Sequence, residues 1–100
     1  MQINISTRRG ELAQATQEKI IQKVEKLTRY FERLISIEVI VDLSKADEPK
    51  IDVLVSAEHD SDFVASDTSR DMFGSLDIVI AKLEQQIKKY KEKIQNHGRS

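Results

Sequence analysis

Hydrophobic residues change their spacing along the chain, and each change marks a new predicted element. Residues 2–6, QINIS, alternate between polar and apolar side chains, which predicts a short first strand. From Leu12 the spacing becomes helical, and one side of that helix carries Ala13, Ile20, Val24, Leu27 and Phe31. We therefore expect a first helix that ends near Tyr30 or Phe31.

Three later segments alternate in the manner of strands. Residues 35–43, ISIEVIVDL, place five apolar side chains on one predicted face: Ile35, Ile37, Val39, Val41 and Leu43. Residues 50–57 repeat the alternation, and residues 63–66 form a shorter strand. The intervening segments SKADEP and EHDSD are rich in turn residues. These three strands are therefore expected to form a meander.

A long second helix is predicted to follow the last strand. Thr68 is its predicted N-cap, with Asp71 completing an approximate capping box and Asp67 as a competing cap. Apolar residues at spacings of three and four then continue for about six turns: Met72, Leu76, Val79, Ile80, Leu83, Ile87, Tyr90 and Ile94.

The order β-α-β-β-β-α predicts a two-layer α+β fold. Each predicted helix has one apolar stripe and each long strand has one apolar face, so two parallel helices should cover one face of a four-stranded sheet. The order of elements after the first strand is similar to that of double-stranded RNA-binding domains. We expect a single domain over residues 1–95 and a flexible tail over residues 96–100.

Composition limits the kinds of site and the cellular locations expected for the protein. The 100 residues include no cysteine, which excludes a disulfide framework and a thiolate metal site. The start MQINIS lacks the features of a signal peptide, and no apolar run approaches the roughly 18 residues of a membrane span. We expect a cytoplasmic protein that does not contact a membrane.

Residues suited to catalysis are sparse. His59 lies in a predicted turn and His97 in the predicted tail, and neither has a nucleophile at motif spacing. The acidic segment EHDSD lacks the spacing of a calcium loop, and the chain has no glycine-rich phosphate loop. The sequence therefore predicts no enzyme activity, no metal, no cofactor and no small-molecule substrate.

Charge is distributed unevenly although the formal net charge is only −1. Residues 1–41 carry seven Lys and Arg against five acids, and residues 72–100 carry six against three. Residues 42–71 carry three bases against nine acids. Because a local field attracts a partner more than the sum does, the two helical regions are the candidate surface for an anionic partner.

Basic residues gather on one flank of each predicted helix. The second helix has Lys82, Gln86, Lys89 and Lys93 on one flank. The first helix has Lys19, Lys26 and Arg33 at intervals of seven, joined by Lys23 and Tyr30. Its other flank is acidic and carries Glu18, Glu25 and Glu32.

Three interpretations of these flanks stay open on the residues alone. Charged runs commonly coat solvated helix faces. If the strands lie in sequence order, the lysine flank of the second helix is expected to turn towards the first helix and pair with its acidic flank, each exposed pair contributing roughly 0–1 kcal/mol. Lysines spaced about 10 Å apart along a helix can also meet successive phosphates of a nucleic acid.

Several segments resemble the ribosome hibernation-promoting and ribosome-associated inhibitor proteins. They are INIS at the start, KVEKLTRYFERLISIEVIVDL from helix to strand, and FVASD, RDMFGSLD and KLEQQIKKYKEKI near the end. The similarity covers residues 1–95. Its most specific part is the second-helix pattern that begins with Asp71-Met72-Phe73 and continues through Leu76-Asp77 to Lys82-Leu83-Glu84 and Gln86.

The resemblance implies a domain that docks in the decoding channel of the small ribosomal subunit, against ribosomal RNA. There it would block messenger and transfer RNA and so inhibit translation in idle ribosomes, as a monomer when off the ribosome. Long members add a C-terminal domain that pairs ribosomes. Since this chain ends without one, pairing through such a domain is not expected.

Candidate RNA contacts come partly from the resemblance and partly from geometry. Lys82, Lys89 and Arg8 match basic positions of the family. Arg9, the neighbour of Arg8, is included with it. Gln85 departs from the family, which often has arginine there. The predicted RNA-binding set is Arg8, Arg9, Lys23, Lys26, Lys82, Gln86, Lys89 and Lys93.

Two other functions fit the same residues. A general double-stranded RNA-binding module would bind a plain duplex without ribosomes. A protein-interaction module would use the charged flanks to bind another polypeptide.

Overall fold

The elements follow the order β-α-β-β-β-α in the computed structural model, which describes residues 1–29, 33–45, 47–58 and 61–97. The strands are β1 (Gln2–Arg8), β2 (Leu34–Asp42), β3 (Lys50–Ala57) and β4 (Ser61–Thr68). The helices are α1 (Gln14–Val24), continued by a 3-10 segment (Glu25–Arg29), and α2 (Met72–His97).

The four strands form one mixed sheet in sequence order, β1-β2-β3-β4. β1 is parallel to β2, whereas β2, β3 and β4 are successively antiparallel, which confirms the meander. The register aligns Ile5 with Val39, Val39 with Val53, and Val53 with Ala65. Inward-pointing side chains therefore form rows across all four strands.

Both helices pack on the same face of this sheet. Apolar residues of α1, α2 and the inward rows of the strands form one core. Its largest fully buried side chains include Ile20, Leu27, Ile37, Ile51, Leu76, Leu83 and Ile87. The predicted two-layer α+β architecture is confirmed.

The helices run parallel to each other. Lys19 of α1 contacts Phe73 of α2, and one turn later Lys23 of α1 contacts Asp77 of α2. A step of four residues along α1, from Lys19 to Lys23, moves the contact four residues along α2, from Phe73 to Asp77. The two helices therefore run in the same direction. Neither helix, within the described residues, is long and apolar enough to cross a membrane.

The first helix is shorter than the apolar spacing predicted. Regular α-helix begins at Gln14 after an exposed Ala13, which has no side-chain cap, and ends at Val24. The 3-10 segment that follows keeps Leu27 in the core. The predicted end near residues 30 and 31 lies outside the described part of the chain.

The predicted N-cap of α2 is wrong. Thr68 is the last residue of β4, and its hydroxyl donates to the carbonyl oxygens of Glu48 and Pro49, at 3.2 Å each. The helix begins at Met72, four residues later, and the amide of Ser75 donates to the carbonyl of Asp71 at 2.9 Å. Because β4 extends through Thr68, the chain could not turn into the helix there.

The predicted inward orientation of Ile35 is also wrong. The pairing of β2 with β3 shifts by one residue between Leu34 and Ser36, as in a β-bulge. Leu34 is consequently 8% exposed and Ile35 54% exposed. A period-two pattern cannot reveal an inserted residue, since the insertion reverses which residues face the core.

The bulge predicts that truncating two adjacent side chains will lower the free energy of unfolding by very different amounts. Leu34→Ala should lower the free energy of unfolding by about 2–4 kcal/mol, because it leaves a cavity in the core. Ile35→Ala should change it by no more than about 0.5 kcal/mol, because that side chain is largely exposed. Urea denaturation of the two variants measures both values, and an Ile35 cost as large as that of Leu34 would contradict the bulge.

Candidate nucleic-acid interface

The eight predicted RNA-binding residues lie in three separate places. Arg8 and Arg9 are at the carboxyl end of β1. Lys23 and Lys26 are on α1 and the 3-10 segment that extends it. The other four are on α2: Lys82, Gln86, Lys89 and Lys93.

The groove between the helices contains two lysines, a ring and a carboxylate. The Lys19 ammonium lies 4.4 Å from the centroid of the Phe73 ring, and the Lys23 ammonium lies 6.0 Å from it. Lys23 also donates to Asp77 Oδ1 at 2.8 Å. We call Lys19, Lys23, Phe73 and Asp77 the interhelical cluster.

Each contact in the interhelical cluster orients a cation. A cation over an aromatic face is attracted by the ring, by about 0.5–1 kcal/mol at an exposed site. The Lys23–Asp77 pair contributes no more than about 1 kcal/mol, because the Asp77 side chain is 61% exposed. The cluster therefore holds two ammonium groups near each other with one competing acid.

Lys19 is absent from the predicted RNA-binding set although it lies in this groove. The available signal was its position seven residues before Lys26, on the basic flank of the first helix. The ring of Phe73 is half-buried beside it.

The predicted pairing of the α2 lysine flank with the α1 acidic flank is wrong. Phe73 and Asp77 of α2 contact Lys19 and Lys23, which belong to the basic flank of α1. The reason is lateral position, since α2 packs on β4 and β3. Its lysine flank therefore points away from α1, towards the outer edge of the sheet. Glu32 of the predicted acidic flank lies outside the described residues.

Two residues of the α2 lysine flank cover the free edge of β4. The Lys82 ammonium donates to the carbonyl of Ser66 at 3.1 Å, and the Gln86 amide donates to the carbonyl of Val64 at 2.9 Å. Backbone groups on an edge strand otherwise bond to water or to another chain. These two side chains are thereby held in place, while their exposed neighbours Lys89 and Lys93 continue the flank.

Arg9 and Gly10 form a tight turn after β1. Arg9 has a φ of 55°, in the left-handed region that non-glycine residues adopt rarely. A Cβ on Gly10 would lie 2.8 Å from Leu43 Cδ1, so glycine is needed for the close approach of these two segments. The turn leaves Arg8 exposed on the sheet face opposite the helices.

Asp42 lies beside this turn, opposite Arg8 in the register of β1 and β2. Its Oδ1 accepts hydrogen bonds from the Ser44 hydroxyl and, at 2.9 Å, from the Ser44 amide. These bonds, followed by the charges of Arg9 and Arg8, hold the pKa of the Asp42 carboxyl below its ordinary value. The carboxylate is ionised at neutral pH and offsets part of the positive charge of the two arginines.

Metal-binding geometry is missing from the described residues, where no three His, Cys, Asp or Glu side chains converge. His59 and Asp60 of the acidic turn lie outside those residues.

The fold is that of a class of small α+β proteins that includes a ribosomal subunit interface protein. A ribosomal subunit interface protein from Coxiella burnetii has this fold, with a TM-score of 0.81 and 25% identity over 92% of this chain and 99% of that one. The N-terminal domain of protein Y from Thermus thermophilus shares the fold, with a TM-score of 0.78 at 20% identity over 90% of this chain and 99% of that domain.

Within that class, the chain belongs to the Sigma 54 modulation protein / S30EA ribosomal protein family, whose profile matches residues 3–95. Two similar relatives are each named ribosome hibernation promoting factor. The one from Azotobacter vinelandii is 31% identical over 93% of this chain and 85% of the relative. The one from Escherichia coli K12 is 30% identical over 97% of this chain and the whole of the relative. The family resemblance noted in the sequence is confirmed.

Removing the Ser44 hydroxyl should raise the pKa of Asp42. In wild-type protein that pKa should lie below 3.8, and in Ser44→Ala it should move up towards 3.8. Because the pKa is lowered by folding, the ionised carboxylate stabilises the folded state above pH 3.8, and this contribution is lost as the pH falls through the folded pKa. The stability difference between the two proteins should therefore shrink in acid. NMR titration of the carboxyl resonances measures the pKa of Asp42, with Ser6→Ala as the control. An unchanged Asp42 pKa in Ser44→Ala would refute the role given to the Ser44 hydroxyl.

Proposed function

We propose that this protein is a non-catalytic, ribosome-binding translation inhibitor that acts as a hibernation factor. It docks as a monomer in the decoding channel of the small ribosomal subunit, in the cytoplasm, and contacts ribosomal RNA there. Bound in that channel, it blocks messenger and transfer RNA. Support comes from the relatives named ribosome hibernation promoting factor, which align over nearly all of this chain.

The charge of the helical layer is the observation that supports the proposed contact with RNA. α1, its 3-10 extension and α2 together carry nine Lys and Arg against five acids, in a chain whose net charge is −1. Lysines that neutralise phosphates release bound counterions, which gives affinity without sequence readout. A layer of this kind suits the phosphate backbone of a folded RNA.

The described aromatic residues favour contact with phosphates over stacking on bases. Phe63 is buried and meets Tyr90 edge-to-face, with ring centroids 5.5 Å apart. Phe73 is half-buried and has Lys19 over its ring. Recognition of single-stranded bases needs exposed aromatic platforms. Structured RNA read by shape and charge is therefore the better partner.

Co-sedimentation with purified small subunits is the primary test. The protein should pellet with subunits, and added messenger should compete with it because both occupy the decoding channel. A plain RNA duplex is the comparison ligand, and equal affinity for duplex and subunit would favour a general double-stranded RNA-binding module. Pelleting that survives nuclease digestion of the RNA would favour a protein-interaction module.

Two double variants test which lysines meet the RNA. Lys19→Ala/Lys23→Ala removes the cations of the interhelical cluster, and Lys82→Ala/Lys89→Ala removes two cations from the α2 flank. Each should weaken subunit binding and reduce the slope of log affinity against log salt by roughly 1–2, because up to two phosphate contacts are lost. Lys45→Ala/Lys50→Ala makes the same charge change outside the helices and should leave the slope unchanged. If a variant has the same salt slope and the same subunit occupancy as wild type, its two lysines do not belong to the interface.

Asp77→Asn should act in the opposite direction. The amide keeps the shape of the side chain but removes the acid that competes with phosphate for the Lys23 ammonium. Subunit affinity should rise several-fold at low salt, with a change in folding stability of no more than about 1 kcal/mol. Salt-titrated co-sedimentation and urea denaturation measure the two effects. Weaker subunit binding by the variant would show that Lys23 needs Asp77 for its orientation.

A further inference from the structure

The sheet has a second face that neither helix covers in the part of the chain that the structure describes. Side chains that alternate with the buried rows project from this face. Val64 of β4 is 53% exposed and Leu54 of β3 is 37% exposed, although both are apolar. We call this surface the open face.

An apolar patch occupies the middle of the open face. Leu54 and Val64 are direct cross-strand partners, so their side chains are neighbours. Ile40 is half-buried on β2 and pairs with Asp52, which places it diagonally across from Leu54. Exposed strand positions of an antiparallel sheet are normally polar. A contiguous apolar group on such a face indicates a contact surface.

Carboxylates surround this patch. Glu38 is the β2 partner of Leu54, and Asp52 is the β3 partner of Ile40. Asp62 follows in the adjoining row, opposite Ser56. Arg8 and Lys50 lie at the other end of the open face, on either side of Asp42 in the register.

The charges decide which partner fits. Phosphates of a nucleic acid would be repelled by Glu38, Asp52 and Asp62, so the open face does not suit RNA. A second copy of this chain would bring the same carboxylates against one another. A polypeptide segment with lysine or arginine next to aliphatic side chains would match both the acids and the patch.

We infer that the open face binds a basic segment of a ribosomal protein while the helical layer faces ribosomal RNA. Cationic side chains of that segment pair with Glu38, Asp52 and Asp62, and its aliphatic side chains pack on Leu54 and Val64. The inference rests on the proposed function, because it places the protein on the ribosome. It gives the domain two contact surfaces of opposite charge.

Photo-cross-linking on purified small subunits tests the inference directly. p-Benzoylphenylalanine replaces Val64 in one variant and Lys88 of the helical layer in another, in the full chain. The probe at position 64 should give an adduct that resists ribonuclease and is lost on protease digestion. The probe at position 88 should give the reverse, an adduct sensitive to ribonuclease.

Charge reversal supplies an independent measurement. Glu38→Lys/Asp52→Lys should weaken subunit binding by about tenfold, because repulsion replaces attraction towards the basic segment. Asp47→Lys/Glu48→Lys makes the same charge change in the β2–β3 connection and should not weaken binding. Thermal unfolding of both variants checks that the sheet is intact. A third variant, Leu54→Thr/Val64→Thr, keeps strand-forming residues, removes the apolar patch and should also weaken binding.

The outcomes separate the two proposals. If the wild-type protein does not pellet with subunits, the proposed function fails and this inference fails with it. If it pellets, but position 64 gives only RNA adducts or none while position 88 gives an adduct, the inference is overturned and the proposed function stands. Equal or tighter binding by Glu38→Lys/Asp52→Lys, with its fold intact, overturns the inference in the same way.

Discussion

Hydrophobic contact between the inner face of the sheet and the apolar stripes of the two helices positions the other features of this protein. A four-stranded sheet of this length offers two faces, and the helices cover one of them. Because strand side chains alternate, every second residue is committed to that buried face. The remaining strand residues form the open face, and the remaining helix residues form the outer surface of the second layer.

This division separates charge as well as polarity. Lysine and arginine predominate on the helical layer, whereas acids predominate over residues 42–71, which include β3 and β4. The core lies between the two surfaces and keeps them apart. A protein with net charge −1 can in this way present a basic surface on one side and an acidic surface on the other.

Contacts between elements then decide which charges are available. Asp77 reaches Lys23 because parallel helices place the first turns of α2 beside the end of α1. Lys82 lies against the carbonyl of Ser66 because α2 packs over the free edge of the sheet. Residues that look equivalent on a helical wheel can thus differ in their neighbours. Lys82 and Lys89 are both exposed, and Lys82 donates to a backbone carbonyl of β4.

Sequence by itself determined the element order, the sheet of four strands, the two-layer fold and the family, because spacing and motif are local properties of the chain. It also located the basic flanks. Only the tertiary structure decided that Ile35 faces solvent, that α2 starts after Asp71, and that the α2 lysine flank points to the sheet edge. The physical reason is common to the three. Contacts with residues distant in the chain set all three features: the bulge, the extent of the strand and the lateral position of the helix. The spacing of hydrophobic residues within one segment therefore cannot predict them.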